Sequence, residues 1–165
     1  MKKYTNDQIL INLLKEAVEK CYKNDKSLID RGGMEQACVA RIFYYMQDLI
    51  YNDSMYTFLR DYNLDCEYNK NMQTSKTLPR CPKGTRPDLI LHRREDRPER
   101  DNLLVVEFKA RTSKMTSKDR IKLEDFTHPD RGYAYKLGVF VKLNKKEALY
   151  TFYQNGSKIL EGNVQ

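Results

Sequence analysis

No apolar run in this chain approaches the roughly 20 residues that a membrane helix needs, which sets aside a membrane-spanning reading. The first ten residues lack a leader pattern as well. Two lysines are followed by Asn6, Asp7 and Gln8, where a signal peptide would turn apolar. A cytoplasmic location is the expectation. Cysteine is sparse and scattered: Cys21, Cys38, Cys66 and Cys81 include no pair at zinc-ribbon or redox spacing. Cys21 and Cys38 fall on apolar helical faces, where a small buried thiol is the ordinary explanation, so structural zinc and disulfides are not expected. Internal repeats, linkers and composition breaks are also missing. The 165 residues are therefore read as one domain, 1–165, with a helical extension over 1–30 and a core over 34–153.

What is present is a soluble, globular composition, 40% apolar and 32% charged, with a formal net charge of +7. The charge is uneven. Residues 70–86 hold five basic residues and no acid, residues 109–122 hold six against Asp119 alone, and residues 131–146 hold five and none. The remainder of the chain is net acidic. A phosphate-binding face produces this asymmetry, because each contacted phosphate releases counterions; a solvated lysine-rich surface produces it equally. Residues 93–101 contain four arginines balanced by Glu95, Asp96, Glu99 and Asp101, and read as a solvated hairpin loop.

Two helical patterns come first. Ile9, Leu10, Leu13, Leu14, Ala17, Val18 and Cys21 recur at threes and fours, and after Gly32 and Gly33 a second helix spans about 34–51 along Cys38, Val39, Ile42, Met46 and Leu49. The aromatic segment bearing Tyr51, Tyr56, Phe58 and Tyr62 carries no clear period. Strands follow: a weak one around 65–68, then 89–91, then Leu103-Leu104-Val105-Val106, which is apolar on both faces as a covered central strand would be. A short helix over 117–126 precedes strands at 137–141 and 149–153, and Asn155-Gly156 closes the last.

The central strand breaks its own rule. Alternation puts Leu103, Val105, Glu107 and Lys109 on one face, so an apolar row ends in a carboxylate and an ammonium. Burying those charges costs several kcal/mol unless partners satisfy them. On a strand already in water, Glu-x-Lys means little. Asp88 changes that reading. It follows Pro87 and leads into Leu89-Ile90-Leu91. If this strand pairs antiparallel with 103–110 through the charged loop, Asp88 arrives opposite Glu107. Two converging carboxylates repel unless they share a cation, and hard oxygen donors suit Mg²⁺ or Mn²⁺.

Arg86-Pro87-Asp88, 18 further residues, then Glu107-Phe108-Lys109 behind Leu-Leu-Val-Val resembles the PD-(D/E)XK nuclease superfamily. The order of elements over about 34–153 is similar to that family's core. The resemblance implies an α/β, restriction-endonuclease-like fold: a mixed sheet of four to five strands flanked by helices, with an extra N-terminal helix. It implies metal ligation by Asp88, Glu107 and the Phe108 backbone carbonyl, with Lys109 orienting or activating the attacking water. The helix bearing Glu35 looks like the family's first core helix, which implies that Glu35 joins the catalytic site and reaches the metal directly or through water. A first-turn glutamate also complements a helix dipole, so Glu35 has a structural reading beside the functional one. The implied activity is phosphodiester hydrolysis with Mg²⁺ or Mn²⁺. DNA is the expected substrate, and a second copy of the chain is a candidate partner.

Arg86, Arg111, Lys114 and Lys122 are candidate phosphate contacts. His92 shares a strand face with Asp88 but stands about 13 Å along it, and His128 sits in a polar turn before Pro129. Both read as structural or exposed rather than as general bases. Tyr133 and Tyr135 fit base stacking or plain packing equally well. Two other classes of function remain: a non-catalytic nucleic-acid-binding module on the same fold, and an interaction domain for an acidic protein.

Overall fold

The apolar stripe of the first segment and that of the second bury against each other. In the computed structural model, which describes residues 6–68, 70–71, 74–94 and 102–164, they form α1 (Asn6–Asn24) and α3 (Glu35–Asn52), joined by the short α2 (Lys26–Arg31). Leu10, Leu13, Leu14, Ala17, Val18 and Cys21 meet Cys38, Val39, Ile42 and Met46 in one core. Gly32 and Gly33 turn the chain from α2 into α3 with φ of +66° and +67°, a region open to glycine at little cost. A Cβ at Gly32 would stand 2.9 Å from the Thr112 methyl group, so the missing side chain also lets this turn approach the loop after residue 109. Among the described residues no helix is long and apolar enough to cross a membrane.

The chain then forms a 3₁₀ turn (Thr57–Asp61), β1 (Asn63–Cys66), the small hairpin β2 (Lys70–Asn71) and β3 (Thr74–Ser75), β4 (Leu89–His92), β5 (Asn102–Lys109), α4 (Ser117–Thr127), β6 (Leu137–Leu143), β7 (Ala148–Gln154) and β8 (Ser157–Ile159). The result is an α/β protein with a six-stranded mixed sheet in the order β1-β4-β5-β6-β7-β8. β4 runs antiparallel to β5 with Leu89 opposite Val106, and β6 lies parallel to β5 with Glu107 opposite Phe140. Parallel neighbours need a crossover, and α4 supplies it. Leu104, Val106 and Phe108 face α1 and α3, while Val105 and Ile90 join Leu123 and Phe126 of α4. Both faces of β5 are covered, which accounts for its unbroken apolar run.

The sheet exceeds the expected four to five strands because of β8. Asn155 and Gly156 both adopt positive φ, the requirement of a tight hairpin turn, so they open one more hairpin instead of closing the last strand. Ser157-Lys158-Ile159 is too short and polar to announce itself as a strand. The aromatic segment without a period becomes the end of α3 and the 3₁₀ turn, with Tyr56 and Leu59 buried beneath half-exposed Tyr51 and Phe58. The first strand starts at Asn63, two residues before the expected position. The charged loop over 93–101 lies outside the described residues apart from Arg93 and Arg94.

Candidate active site

Asp88 enters β4 at the level of Glu107, as the antiparallel register requires, and its Oδ2 accepts the Phe108 N–H at 2.7 Å. The N–H and carbonyl of one strand residue point to the same edge, so the Phe108 carbonyl faces the edge where Asp88 stands. The Phe108 ring is fully buried against the α1–α3 layer. Burial raises Asp88 above the usual carboxylate range, against the Phe108 amide and the Lys122 and Lys109 charges. Glu35 also pushes it up.

Glu107 is 1% exposed. Its Oε1 lies 2.5 Å from the Lys122 ammonium, a buried ion pair between β5 and α4. Burial pushes Glu107 up to about 8; Lys122 opposes the shift, while Asp88 and Asp119 add to it. The carboxyl is thus a group that a cation would ionise.

Lys109 stands between two helices. Its Nζ is 3.3 Å from Asp119 Oδ1 in the first turn of α4 and 3.9 Å from Glu35 Oε1 at the start of α3. Burial alone would lower its pKa, but Glu35, Asp119 and Asp88 together outweigh that and raise it, keeping the ammonium charged. Asp119 is fixed by a capping box with Thr116, each side chain accepting the other's backbone amide. Glu35 Oε2 accepts the Ala110 N–H at 3.0 Å, so this carboxylate secures the end of β5 as well as touching Lys109. Lys142 of β6 holds the following turn, donating to the carbonyls of Ala110 and Arg111 at 2.9 Å each and to that of Ser113. A cleft of about 230 Å³ opens beside this end of the sheet, lined by Glu35, Gln36, Val39, Cys66, Glu67 and Asp88.

The structure therefore brings Asp88, Glu107, Lys109 and Glu35 to one end of the sheet. The phosphate-contact candidates divide. Arg86 is exposed, 3.9 Å from Glu67 Oε2, and Lys114 is exposed. Arg111 donates to the Asp30 carbonyl at 3.1 Å. Lys122 is buried on Glu107 and donates to the Arg86 carbonyl at 3.1 Å, a structural task that its place in a basic stretch did not suggest. Of the three basic stretches, residues 131–146 divide: Lys142 holds the turn after Lys109, while others of the stretch lie elsewhere. Arg131 pairs with buried Asp125, as does Arg80, and Lys146 lines a separate groove against α1. His92 is buried with Nε2 2.9 Å from Asp65 Oδ2, a structural histidine, and His128 caps α4. Tyr133 and Tyr135 are buried edge-on against Phe126, which settles them as packing.

Asp119 and the Lys122–Glu107 pair escaped sequence reasoning. The one available signal was Thr116-x-x-Asp119 at capping-box spacing. Among the described residues no three His, Cys, Asp or Glu side chains are already arranged as a metal site. The donors on hand are two carboxylates and a carbonyl, all oxygen. No protein-family model matches this chain, and no curated protein matches it.

Proposed function

We propose that this chain is a divalent-metal-dependent nuclease on a restriction-endonuclease-like core, hydrolysing phosphodiester bonds of DNA. The observation that carries the reading is buried Glu107 standing opposite Asp88 in the strand register, with the charged Lys109 two residues further along the same face of the central strand. The β1-β4-β5 meander, the α4 crossover and parallel β6 support it, being similar to the order that the resemblance implies. The residues fit a hard cation: the donors are oxygens, and a buried carboxyl pushed up to about 8 is one that Mg²⁺ or Mn²⁺ would ionise.

Asp88, Glu107 and the Phe108 carbonyl would hold the cation. When bound, it supplies Lewis acidity and lowers the pKa of water. The chain's own residues do the rest. Glu35 and Asp119 keep Lys109 protonated and fixed, so its ammonium is ready to meet charge developing on a phosphoryl oxygen. Asp88 is oriented by the Phe108 amide, and Glu35 and Lys142 hold the strand end rigid.

One observation favours the second reading, a non-catalytic nucleic-acid-binding module: Lys122 already balances Glu107 without a metal. Supercoiled, linear and single-stranded DNA incubated with Mg²⁺ or Mn²⁺ separates the two. The nuclease reading expects cleavage by wild type and none by Lys109→Ala. Binding without metal-dependent cleavage of any substrate overturns it.

A further inference from the structure

A second pocket, of about 410 Å³, shares Lys122 with the carboxylate site. Lys76, Lys83, Thr85, Arg86, Lys118 and Lys122 line it, and no acid does. Lys118 and Lys122 stand one turn apart on α4, a like-charge spacing that destabilises a helix in the absence of an anion. Lys76 is 3% exposed. Its ammonium lies 4.8 Å from the Tyr133 ring centroid and 5.4 Å from that of Tyr68, with no carboxylate within ion-pair distance among the described residues. Burial lowers Lys76 to about 8, with Asp65 opposing from farther away. Thr85 is 7% exposed and its hydroxyl, buried in this wall, has no hydrogen-bond partner. Buried polar groups are normally satisfied, so an orphan hydroxyl among crowded cations marks a place for an acceptor with negative charge.

We infer that this pocket is a phosphate subsite, holding one phosphate of the strand whose neighbouring linkage lies at Asp88 and Glu107. The first half stands on the pocket alone, and the second rests on the nuclease reading. Phosphate oxygens complete the hydrogen bonding of Thr85 and offset the cationic crowding that Glu107 alone leaves unbalanced. Lys122 then touches both sites, pairing with Glu107 on one side and facing the phosphate on the other. Two sources share this chemistry, a terminal phosphomonoester and an internal phosphodiester.

The test is metal-free binding in EDTA, so cleavage plays no part. Short single-stranded oligonucleotides of one sequence carry a 5′-phosphate, a 3′-phosphate or neither, and are titrated at several salt concentrations. Lys83 and Lys118 are exposed, so K83Q/K118Q removes two cations with little risk to the fold. K145Q/K146Q removes the same charge elsewhere. The subsite expects K83Q/K118Q to lose about tenfold in affinity and about 0.7 of salt slope for each phosphate no longer neutralised, with the control double near wild type. Thr85→Val should weaken binding without changing the slope or lowering Tm, since its hydroxyl has no partner to lose. Equal losses from both doubles, no loss from either, or no binding by wild type overturns the subsite. If only end-phosphorylated strands feel K83Q/K118Q, the ligand is a terminus; if all three do, it is an internal linkage. Pocket-dependent binding without metal-dependent cleavage leaves the subsite standing and removes the nuclease reading. Cleavage with pocket-independent binding does the reverse.

Discussion

Lys122 of α4 places its ammonium 2.5 Å from Glu107 Oε1 on β5, and this contact is the main counterweight to a carboxyl that burial pushes up to about 8. The pair makes the charge state of the site depend on pH and on what else is bound.

The first prediction is a pH dependence of stability without metal. In the unfolded chain Glu107 ionises near its ordinary value of about 4.5, while in the folded chain it keeps its proton until about 8. Between those values the folded state binds more protons. This contribution is full below the unfolded pKa and is lost as pH rises through the folded one, by up to about 1.4 kcal/mol per pH unit. Raised Asp88 adds in the same sense. Asp65, held down to about 2 by His92 and Arg94 against its burial, does the opposite, losing its contribution as pH falls through that value. Urea unfolding from pH 5 to 8 should show wild type weakening toward pH 8 and Glu107→Gln weakening much less, before Lys76, lowered to about 8 by burial, turns the slope the other way. A flat wild type refutes the raised Glu107.

Metal should reverse that loss. At 100 times Kd a bound ion stabilises by about 2.7 kcal/mol, visible as a rise in Tm with Mg²⁺ or Mn²⁺. Asp88→Asn should fold, because an amide oxygen still accepts the Phe108 N–H, but its Tm should respond to metal far less. Equal metal shifts in the two proteins would remove Asp88 from the site.

Lys109→Ala should lower kcat by at least about a hundredfold, the scale of removing one preorganised charge at a reacting oxygen. Polynucleotide affinity should stay close to wild type, since one ammonium among 30 basic residues contributes little to total attraction. A matching loss in affinity and rate would make Lys109 an ordinary phosphate contact.

Much of this arrangement was legible because it is carried by β5. Period-two alternation over Leu103 to Ala110 exposed the break at Glu107, and Pro87 with the short path to the next strand gave the Asp88 register. The α4 contribution was not legible. That helix buries Asp119, Lys122 and Asp125 beside Leu123 and Phe126, so its inner face is half charged and shows no apolar period. Lys122 and Glu107 sit on different elements whose relative rotation only packing decides. The sixth strand was hidden by its length.

Glu35 offers a test that separates holding from chemistry. Its Oε2 accepts the Ala110 N–H, a bond that Gln can keep and Ala cannot. Glu35→Ala should cost about 1–2 kcal/mol in urea unfolding, and Glu35→Gln much less. If both keep full activity, Glu35 serves the strand end alone. If Glu35→Gln is stable and inactive, its charge acts in the site.

On the nuclease reading, the turn at Gly32 and the bond from Glu35 to Ala110, 75 residues along the chain, bear on when activity is gained during folding. Contacts of such long separation form only after loop closure has been met by other native interactions. The sheet can pair Asp88 with the Glu107 strand early, yet Lys109 gains its second acid only when the N-terminal helices dock. Activity during refolding should therefore lag strand formation and coincide with burial of the α1–α3 layer. On that reading, a molecule whose N-terminal helices have not docked carries the carboxylates without the second acid on Lys109.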